Sequence, residues 1–383
     1  MDVPSADVSR NGPTETIAIA TGGGDAPGLN AVIKAVTLGA RRRGWKVLGL
    51  KDAFNGILNP DDYPDGGSIE LDENAVRYIG HQGGTMIGTT NRGNPVAYPV
   101  QGDDGSWSTV DRTDELIDRL QALGVDALIS VGGDGSLEIA HHIHQRSLET
   151  GRGLRVIGVP KTIDNDLDQT TSTFGFDTAV SFATEAIDRL FSTAASHGRV
   201  MVVEVMGRYA GWIALHCGVA TGAHAVLIPE IPYRLERVAD MIQQRRAAGR
   251  DYAIVVVAEG AAPVDGEITV ASRSLGRAER LGGVGEKVAN ELERLTGMES
   301  RSVVLGHLLR GGTPTSTDRL LGLRFGSAAI RALEQGYDGV MVALAPPTVR
   351  YVSLIDATRA LKTVPVFGDT VLTARDLGIC FGD

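Results

Sequence analysis

Short runs of apolar, largely β-branched residues recur along the chain, and each ends abruptly in a polar, glycine-rich turn. Thr16–Ala20, Ala127–Val131, Leu154–Val159, Arg199–Val205, Ala253–Ala258 and Arg301–Leu305 are such runs. They do not alternate polar with apolar positions, which predicts strands buried on both faces. Helically spaced stretches lie between them, including Asn30–Arg42 after the first run and Leu137–Arg146 after the second. Strand and helix in alternation predict an α/β fold with parallel sheets. In such folds ligands bind at the carboxyl ends of the strands, which is where every distinctive polar motif of this chain falls.

The remaining segments look different. Residues 1–14 are polar and aperiodic and read as a disordered tail. Residues 55–112 are rich in Gly, Asp, Asn and Pro and predict long loops with short elements; Gly260–Gly283 reads similarly, as a surface insertion. No low-complexity tract or solenoid repeat is present.

Composition narrows the function classes. With 383 residues the chain has room for two or three domains. Hydrophobic residues at 43% and charged residues at 22% are ordinary for a soluble globular protein. A net charge of -10 argues against a nucleic-acid partner held by bulk electrostatics. No apolar run is long enough to span a membrane, and the N-terminus has no apolar signal region. Cys217 and Cys380 give neither a disulfide framework nor metal spacing. A cytoplasmic enzyme is the expectation. Cys217, in an apolar stretch, reads as a buried thiol. His141, His142 and His144 read as a solvated helix surface rather than a metal site, and Arg41–Arg43 as the basic end of a helix.

Three motifs carry the chemistry. Gly22-Gly23-Gly24-Asp25-Ala26-Pro27-Gly28 joins a strand to a helix, where backbone N–H groups and the helix dipole suit phosphate. Alone, it is equally readable as a tight turn that needs glycines. Gly132-Gly133-Asp134-Gly135-Ser136 clears space for a nucleotide after a buried strand, and Asp134 is a hard oxygen ligand for Mg²⁺ carried on phosphates. Its plainer reading is a turn with Asp134 as a helix N-cap. Pro160-Lys161-Thr162-Ile163-Asp164-Asn165-Asp166 places two carboxylates two residues apart after a strand. One can take a proton from an attacking hydroxyl while the other serves metal or orientation. Asp/Asn clusters also form ordinary turns, but a turn does not account for the coincidence with the other two motifs.

Together with Met206-Gly207-Arg208, Glu259-Gly260 and the Arg301/His307/Arg310-Gly311-Gly312 stretch, these segments resemble the phosphofructokinase family, motif by motif and in order over residues 22–312. The resemblance implies two Rossmann-like three-layer domains with the active site in the cleft between them. Residues 15–175 with roughly 310–360 would bind the donor, and 176–309 with roughly 361–383 the sugar phosphate. It implies phosphoryl transfer from ATP, with Mg²⁺, to the 1-hydroxyl of fructose 6-phosphate. Asp164 is implied as general base, Thr162 and Asp166 as its neighbours, and Arg208 as stabiliser of the transferring charge. Asp134 is the implied metal ligand. Gly24, Gly133, Gly135 and Ser136 are implied donor contacts, with Lys161 and Arg92. Met206, Gly207, Glu259, His307 and Arg310 are implied sugar-phosphate contacts. Arg199 and Arg301 would reach the 6-phosphate of a neighbouring subunit, which implies at least a dimer with a shared active site and favours a homotetramer. A kinase of the NAD or lipid type would share only the Asp134 motif, and a non-catalytic relative should lack the base or the phosphate ligands.

The chain departs from the family pattern in three places. Gly135 is ATP-like whereas Lys161 is pyrophosphate-like; a glycine at 135 leaves room for an α-phosphate, so sterics favour ATP over pyrophosphate or ADP. Asn91 occupies the place of a phosphate-binding arginine, with Arg92 following. At the family's effector site Lys34 keeps a charge, but Leu38 and His224 replace charged residues. The ordinary effector response should therefore be absent or altered. Added phosphoenolpyruvate is expected to leave the half-saturating fructose 6-phosphate concentration unchanged; a severalfold rise would contradict this.

Overall fold

The computed structural model describes residues 15–102, 104–264, 266, 270–272 and 280–383. The tail expected at 1–14 and part of the insertion expected at 260–283 lie outside the described residues. In chain order the strands are β1 (Thr16–Thr21), β2 (Lys46–Leu50), β3 (Ser68–Glu70), β4 (Tyr98–Gln101), β5 (Trp107–Val110), β6 (Ala127–Gly132), β7 (Arg155–Pro160), β8 (Val200–Val205), β9 (Ala225–Leu227), β10 (Ala253–Ala258), β11 (Val270–Ser272), β12 (Arg280–Leu281), β13 (Ser300–Val304), β14 (Val340–Ala345) and β15 (Thr348–Ser353). The helices are α1 (Leu29–Arg41), α2 (Asn55–Leu58), α3 (Thr113–Ala122), α4 (Asp134–Glu149), α5 (Phe176–His197), α6 (Trp212–Thr221), α7 (Leu235–Ala247), α8 (Val284–Thr296), α9 (Ser316–Glu334), α10 (Leu354–Thr358) and α11 (Asp369–Asp376). The 55–112 region holds short elements between loops, as its composition predicts.

Two compact units divide the chain. The first takes in residues up to Thr162, Leu167–Gly175 and Arg310–Ala360; the second takes in Ile163–Asp166, Phe176–Leu309 and Leu361–Asp383. The chain thus changes unit on either side of the four residues around Asp164.

The first unit is built on a seven-stranded sheet of order β15-β14-β7-β6-β1-β2-β3. Its inner strands are parallel, and β3 and β15 pair antiparallel at the edges. Alternation along β1 shows why both faces are covered. Ile17 and Ile19 join a core with Val32 and Ile33 of α1 and Phe325 of α9. Ala18 and Ala20 join a core with Leu116 of α3, Leu137 of α4 and Leu354 of α10. Each fully buried aliphatic side chain contributes about 1.5–3 kcal/mol. Helices α1 and α9 approach closely because α9 presents glycines: a Cβ at Gly326 would lie 2.6 Å from the Val32 carbonyl oxygen. The chain leaves β1 for β2 on one side and later enters β6 on the other, so the β1/β6 boundary is the switch point at which open α/β sheets bind ligands.

The second unit has an all-parallel four-stranded sheet, β13-β8-β10-β9. Val200, Val202, Val255 and Val257 face α7 and α8 through Val238, Ile242, Val288 and Leu292. The alternate residues of β8 and β10 are buried as well, on the side of α5 and α6.

Three local readings change or sharpen. Helix α4 begins at Asp134, three residues before the expected start, with Gly133 at its N-cap. Gly135 and Ser136 read as turn residues, but a first helical turn leaves its N–H groups without intrahelical partners, so a glycine there sacrifices little. Asp134 is accordingly the first residue of the helix and not its cap. His144 is only partly exposed and has a partner: its Nε2 lies 3.3 Å from Asp338 Oδ2. Cys217 is buried as expected, and burial pushes its thiol up to about 12.

His224, aligned by sequence with an effector position, is a structural residue of the second unit. Its Nδ1 accepts the Ile254 N–H at 2.8 Å, and its ring packs against Phe191 and Tyr252. Burial, followed by the charges of Arg245 and Arg250, lowers its pKa from 6.5 to about 4. Between those values the unfolded chain holds the proton and the folded chain does not, so stability falls as pH drops from 6.5 toward 4. His224→Asn keeps an acceptor for Ile254 and removes the titration. The acid-side fall in thermal midpoint should be smaller in this variant than in the parent; identical pH profiles would contradict the assignment.

Candidate active site

The carboxyl ends of β1, β6 and β7 lie side by side, because Thr21 pairs with Val131 and Gly132 with Pro160. The pairing continues into the loops: Gly22 N–H donates to Val131 O at 2.9 Å and Lys161 N–H to Gly132 O at 2.9 Å. The glycine loop, the Asp134 motif and the start of the third motif, Pro160–Thr162, therefore form one surface of the first unit. A fourth segment, 84–93, lies on the glycine loop, with Gly23 N–H donating to Thr90 O at 3.0 Å and Thr89 Oγ1 to Gly23 O at 2.6 Å.

Charge on this surface comes from Lys161, which is 4% exposed. Its ammonium reaches the glycine loop, 3.3 Å from where a Cβ on Gly23 would stand. Asn91 Oδ1 lies 3.9 Å from the same point. Arg92 is exposed, and among the described residues its side chain makes no hydrogen bond or ion pair. Asp134 and Gly135 are also exposed at the start of α4, whose first turn has no side-chain cap. A Cβ at Gly135 would meet nothing within 4 Å, whereas Ser136 tucks its hydroxyl against Gly22 and Gly132. Arg310 joins this group. Its Nη1 donates to Asp25 O at 3.2 Å, and its guanidinium lies so close over Gly24 that any side chain there would overlap it.

The second unit brings the ends of β8, β10 and β13 together. Glu259 N–H donates to Val205 O at 2.9 Å, Gly260 N–H to Gly207 O at 3.1 Å, and Leu305 N–H to Glu204 O at 3.0 Å. Met206, Gly207, Arg208, Glu259 and the turn bearing His307 therefore neighbour one another. Gly207 has φ 140°, a backbone conformation that side chains disfavour. The Arg208 guanidinium lies 5.6 Å from the Tyr209 ring centroid, within cation–π range. His307 stands on the 3-10 turn Gly306–Arg310.

The tetrapeptide Ile163–Asp166 belongs to this second unit, while Thr162, whose carbonyl accepts the Thr173 hydroxyl at 2.7 Å, belongs to the first. Asn165 adopts φ 53°, which Asn tolerates better than most residues. Two residues outside the sequence motifs support this region. Lys362 Nζ donates to Asn165 Oδ1 at 2.9 Å. Glu230 accepts the Gly211 N–H at 3.0 Å and the Val364 N–H at 2.7 Å, and burial raises its pKa. Neither lies in a glycine-rich turn, the signal that located the others.

Arg199 and Arg301 stand elsewhere. They flank the amino ends of β8 and β13, and Glu299 bridges them with contacts of 3.0 and 2.5 Å. The six residues of β8, roughly 20 Å at about 3.3 Å per residue, separate Arg199 from the Arg208 loop, and Arg301 is the second residue of the five-residue β13, near the end opposite the His307 turn.

The parts suit phosphoryl transfer, which needs positioning and charge neutralisation more than covalent chemistry. Mg²⁺ on a polyphosphate takes most of its ligands from phosphate and water, with one or two protein carboxylates; the exposed Asp134 fits that requirement.

Comparison with known proteins agrees. The family model described as Phosphofructokinase matches residues 16–333. The ATP-dependent 6-phosphofructokinase of Chloroflexus aggregans is 48% identical over 370 residues, covering 96% of this chain and 98% of the relative. The pyrophosphate--fructose 6-phosphate 1-phosphotransferase of Amycolatopsis mediterranei is 47% identical over 355 residues, covering 91% and 96%. The crystal structure of Pichia pastoris phosphofructokinase in the T-state superposes with a TM-score of 0.76 at 30% identity; the match covers 94% of this chain and 37% of that longer one. This chain belongs to the phosphofructokinase family.

Proposed function

We propose that the protein is an ATP-dependent 6-phosphofructokinase that converts fructose 6-phosphate to fructose 1,6-bisphosphate in glycolysis. The Asp164 carboxylate accepts the proton of the sugar 1-hydroxyl as that oxygen attacks the γ-phosphorus. The bond to the bridging oxygen breaks, and ADP leaves. Arg208 neutralises charge on the group in transit, a task for which arginine's planar fork is suited. Thr162 and Asp166 flank the base, and Met206, Gly207, Glu259, His307 and Arg310 hold the sugar phosphate. Gly24, Gly133, Gly135, Ser136, Lys161 and Arg92 serve the donor. When bound at Asp134, Mg²⁺ withdraws charge from the donor phosphates.

The position of Arg199 and Arg301, remote from their own chain's His307 loop, supports a role toward a neighbouring copy. The protein is accordingly proposed to be a homotetramer, at least a dimer, with shared sites. No helix among the described residues is long and apolar enough to cross a membrane; a cytoplasmic enzyme acting on small phosphorylated substrates is the proposal.

The observation that carries ATP over pyrophosphate is the open space at Gly135, where a Cβ would meet nothing within 4 Å. A carboxylate there would occupy that space and repel an α-phosphate. Lys161 at the glycine loop is a pyrophosphate-type residue, but its charge suits the phosphates of either donor. With fructose 6-phosphate and Mg²⁺, ATP should give the highest rate in a panel of ATP, ADP and pyrophosphate. Gly135→Asp should lower kcat/KM for ATP by about tenfold or more and spare any pyrophosphate activity. A parent enzyme faster with pyrophosphate, or unchanged ATP use in Gly135→Asp, would contradict the assignment.

A further inference from the structure

We propose that the segment Leu361–Val364 is a brace that ties the Asp164 turn to the Arg208 loop, with Lys362 as a positioning residue for the base. The inference rests on the reading of Asp164 and Arg208 given above, and every contact it uses lies within the second unit.

Lys362 makes three ties. Its ammonium donates to Asn165 Oδ1 at 2.9 Å, and its N–H donates to the Asp166 carbonyl at 2.7 Å. Its own carbonyl accepts the Trp212 indole N–H at 2.8 Å. The first two hold the residues immediately after Asp164. The third reaches the first residue of α6, which directly follows the 206–211 loop. Two residues on, Val364 N–H donates to Glu230 at 2.7 Å, and the same carboxylate accepts the N–H of Gly211, the last residue of that loop. Two parallel routes thus run from the Asp164 turn to the Arg208 loop, one through Trp212 and one through Glu230.

The arrangement gives Lys362 a specific task. Asn165 holds φ 53°, a region that costs free energy for a residue other than glycine and persists when the surroundings enforce it. A charge-assisted hydrogen bond to its side chain is such an enforcement. The Lys362 ammonium is itself confined, 6.0 Å from the Trp212 ring centroid. If the turn relaxes, the Asp164 carboxylate moves relative to Arg208. A general base must come within hydrogen-bond reach of the hydroxyl it deprotonates.

Lys362→Met removes the ammonium and keeps the stem. Its kcat should fall by about tenfold or more, since a misplacement of about 1 Å can cost 10²-fold. KM for fructose 6-phosphate should stay within about twofold, because phosphate binding is left to other residues. Lys362→Arg, which retains a charged donor, should recover most of the loss. A kcat within about twofold of the parent, or a loss that arginine does not recover, would overturn the proposal. Trp212→Phe deletes one N–H of the brace and should also lower kcat selectively; should Lys362→Met not fold, unchanged kcat in Trp212→Phe overturns the proposal instead. Hydrogen exchange reads the brace without turnover. In Lys362→Met, peptides covering 163–166 and 206–211 should lose protection together; loss confined to 361–364 would overturn the brace. A parent without fructose 6-phosphate kinase activity would refute the functional reading, whereas normal turnover in Lys362→Met beside an active parent would refute only the brace.

Discussion

Parallel strand pairing in near-level register is the constraint from which the chemistry of this chain follows. Because β1, β6 and β7 run in one direction and end within a residue of one another, three loops far apart in sequence emerge at a common edge. The backbone bonds from Gly22 to Val131 and from Lys161 to Gly132 extend that pairing past the strands. The loops therefore begin from fixed positions and need few side chains to hold them. The second unit repeats the principle with β8, β10 and β13. There the bonds of Glu259 and Leu305 carry the ladder into the loops that follow. In both units the cores supply the rigidity: inner strands buried on both faces cannot slip register without moving every side chain to the wrong side.

That same constraint accounts for the separation of the arginines. A residue at the amino end of a parallel strand cannot serve the carboxyl-end loops of its own sheet. Arg199 and Arg301 are held together there by one glutamate, Glu299, which orients two guanidinium groups at once. Charge on the other surface is handled differently. Lys161 is buried and directed at the glycine loop, while Arg310 covers Gly24 at a distance only glycine permits.

Legibility of the sequence follows physical scale. Strands β1, β6, β7, β8 and β10 are visible because burial on both faces demands unbroken apolar runs. By contrast β13, expected to be buried on both faces, is an edge strand with Val304 exposed, and β9 and β14 are not among the runs that the sequence pattern picks out. The phosphate-type loops are visible because close backbone approach demands glycine. Helix α4 starts three residues earlier than its pattern predicts because Gly135 and Ser136 have poor helix propensity, which matters little in a first turn. Lys362 and Glu230 are invisible in the sequence: their roles depend on Asn165, Gly211 and Val364, residues brought near only by the fold. His224 and His144 illustrate the same limit. One accepts a strand N–H and the other lies beside Asp338, contacts that no local pattern encodes. Asn91, in place of an arginine, stands out as a departure, and the structure puts it beside the Gly23 loop where Lys161 supplies the positive charge.

The central claim is that one carboxylate, Asp164, takes the proton from the sugar hydroxyl while other groups bind the substrates. Steady-state kinetics of Asp164→Asn with ATP, Mg²⁺ and fructose 6-phosphate test it most directly, because the amide keeps the shape of the carboxylate and loses its basicity. The account predicts a fall in kcat of about 10²–10⁴-fold with KM values for both substrates changed only a few-fold. A variant that retains kcat within a few-fold of the parent would contradict it.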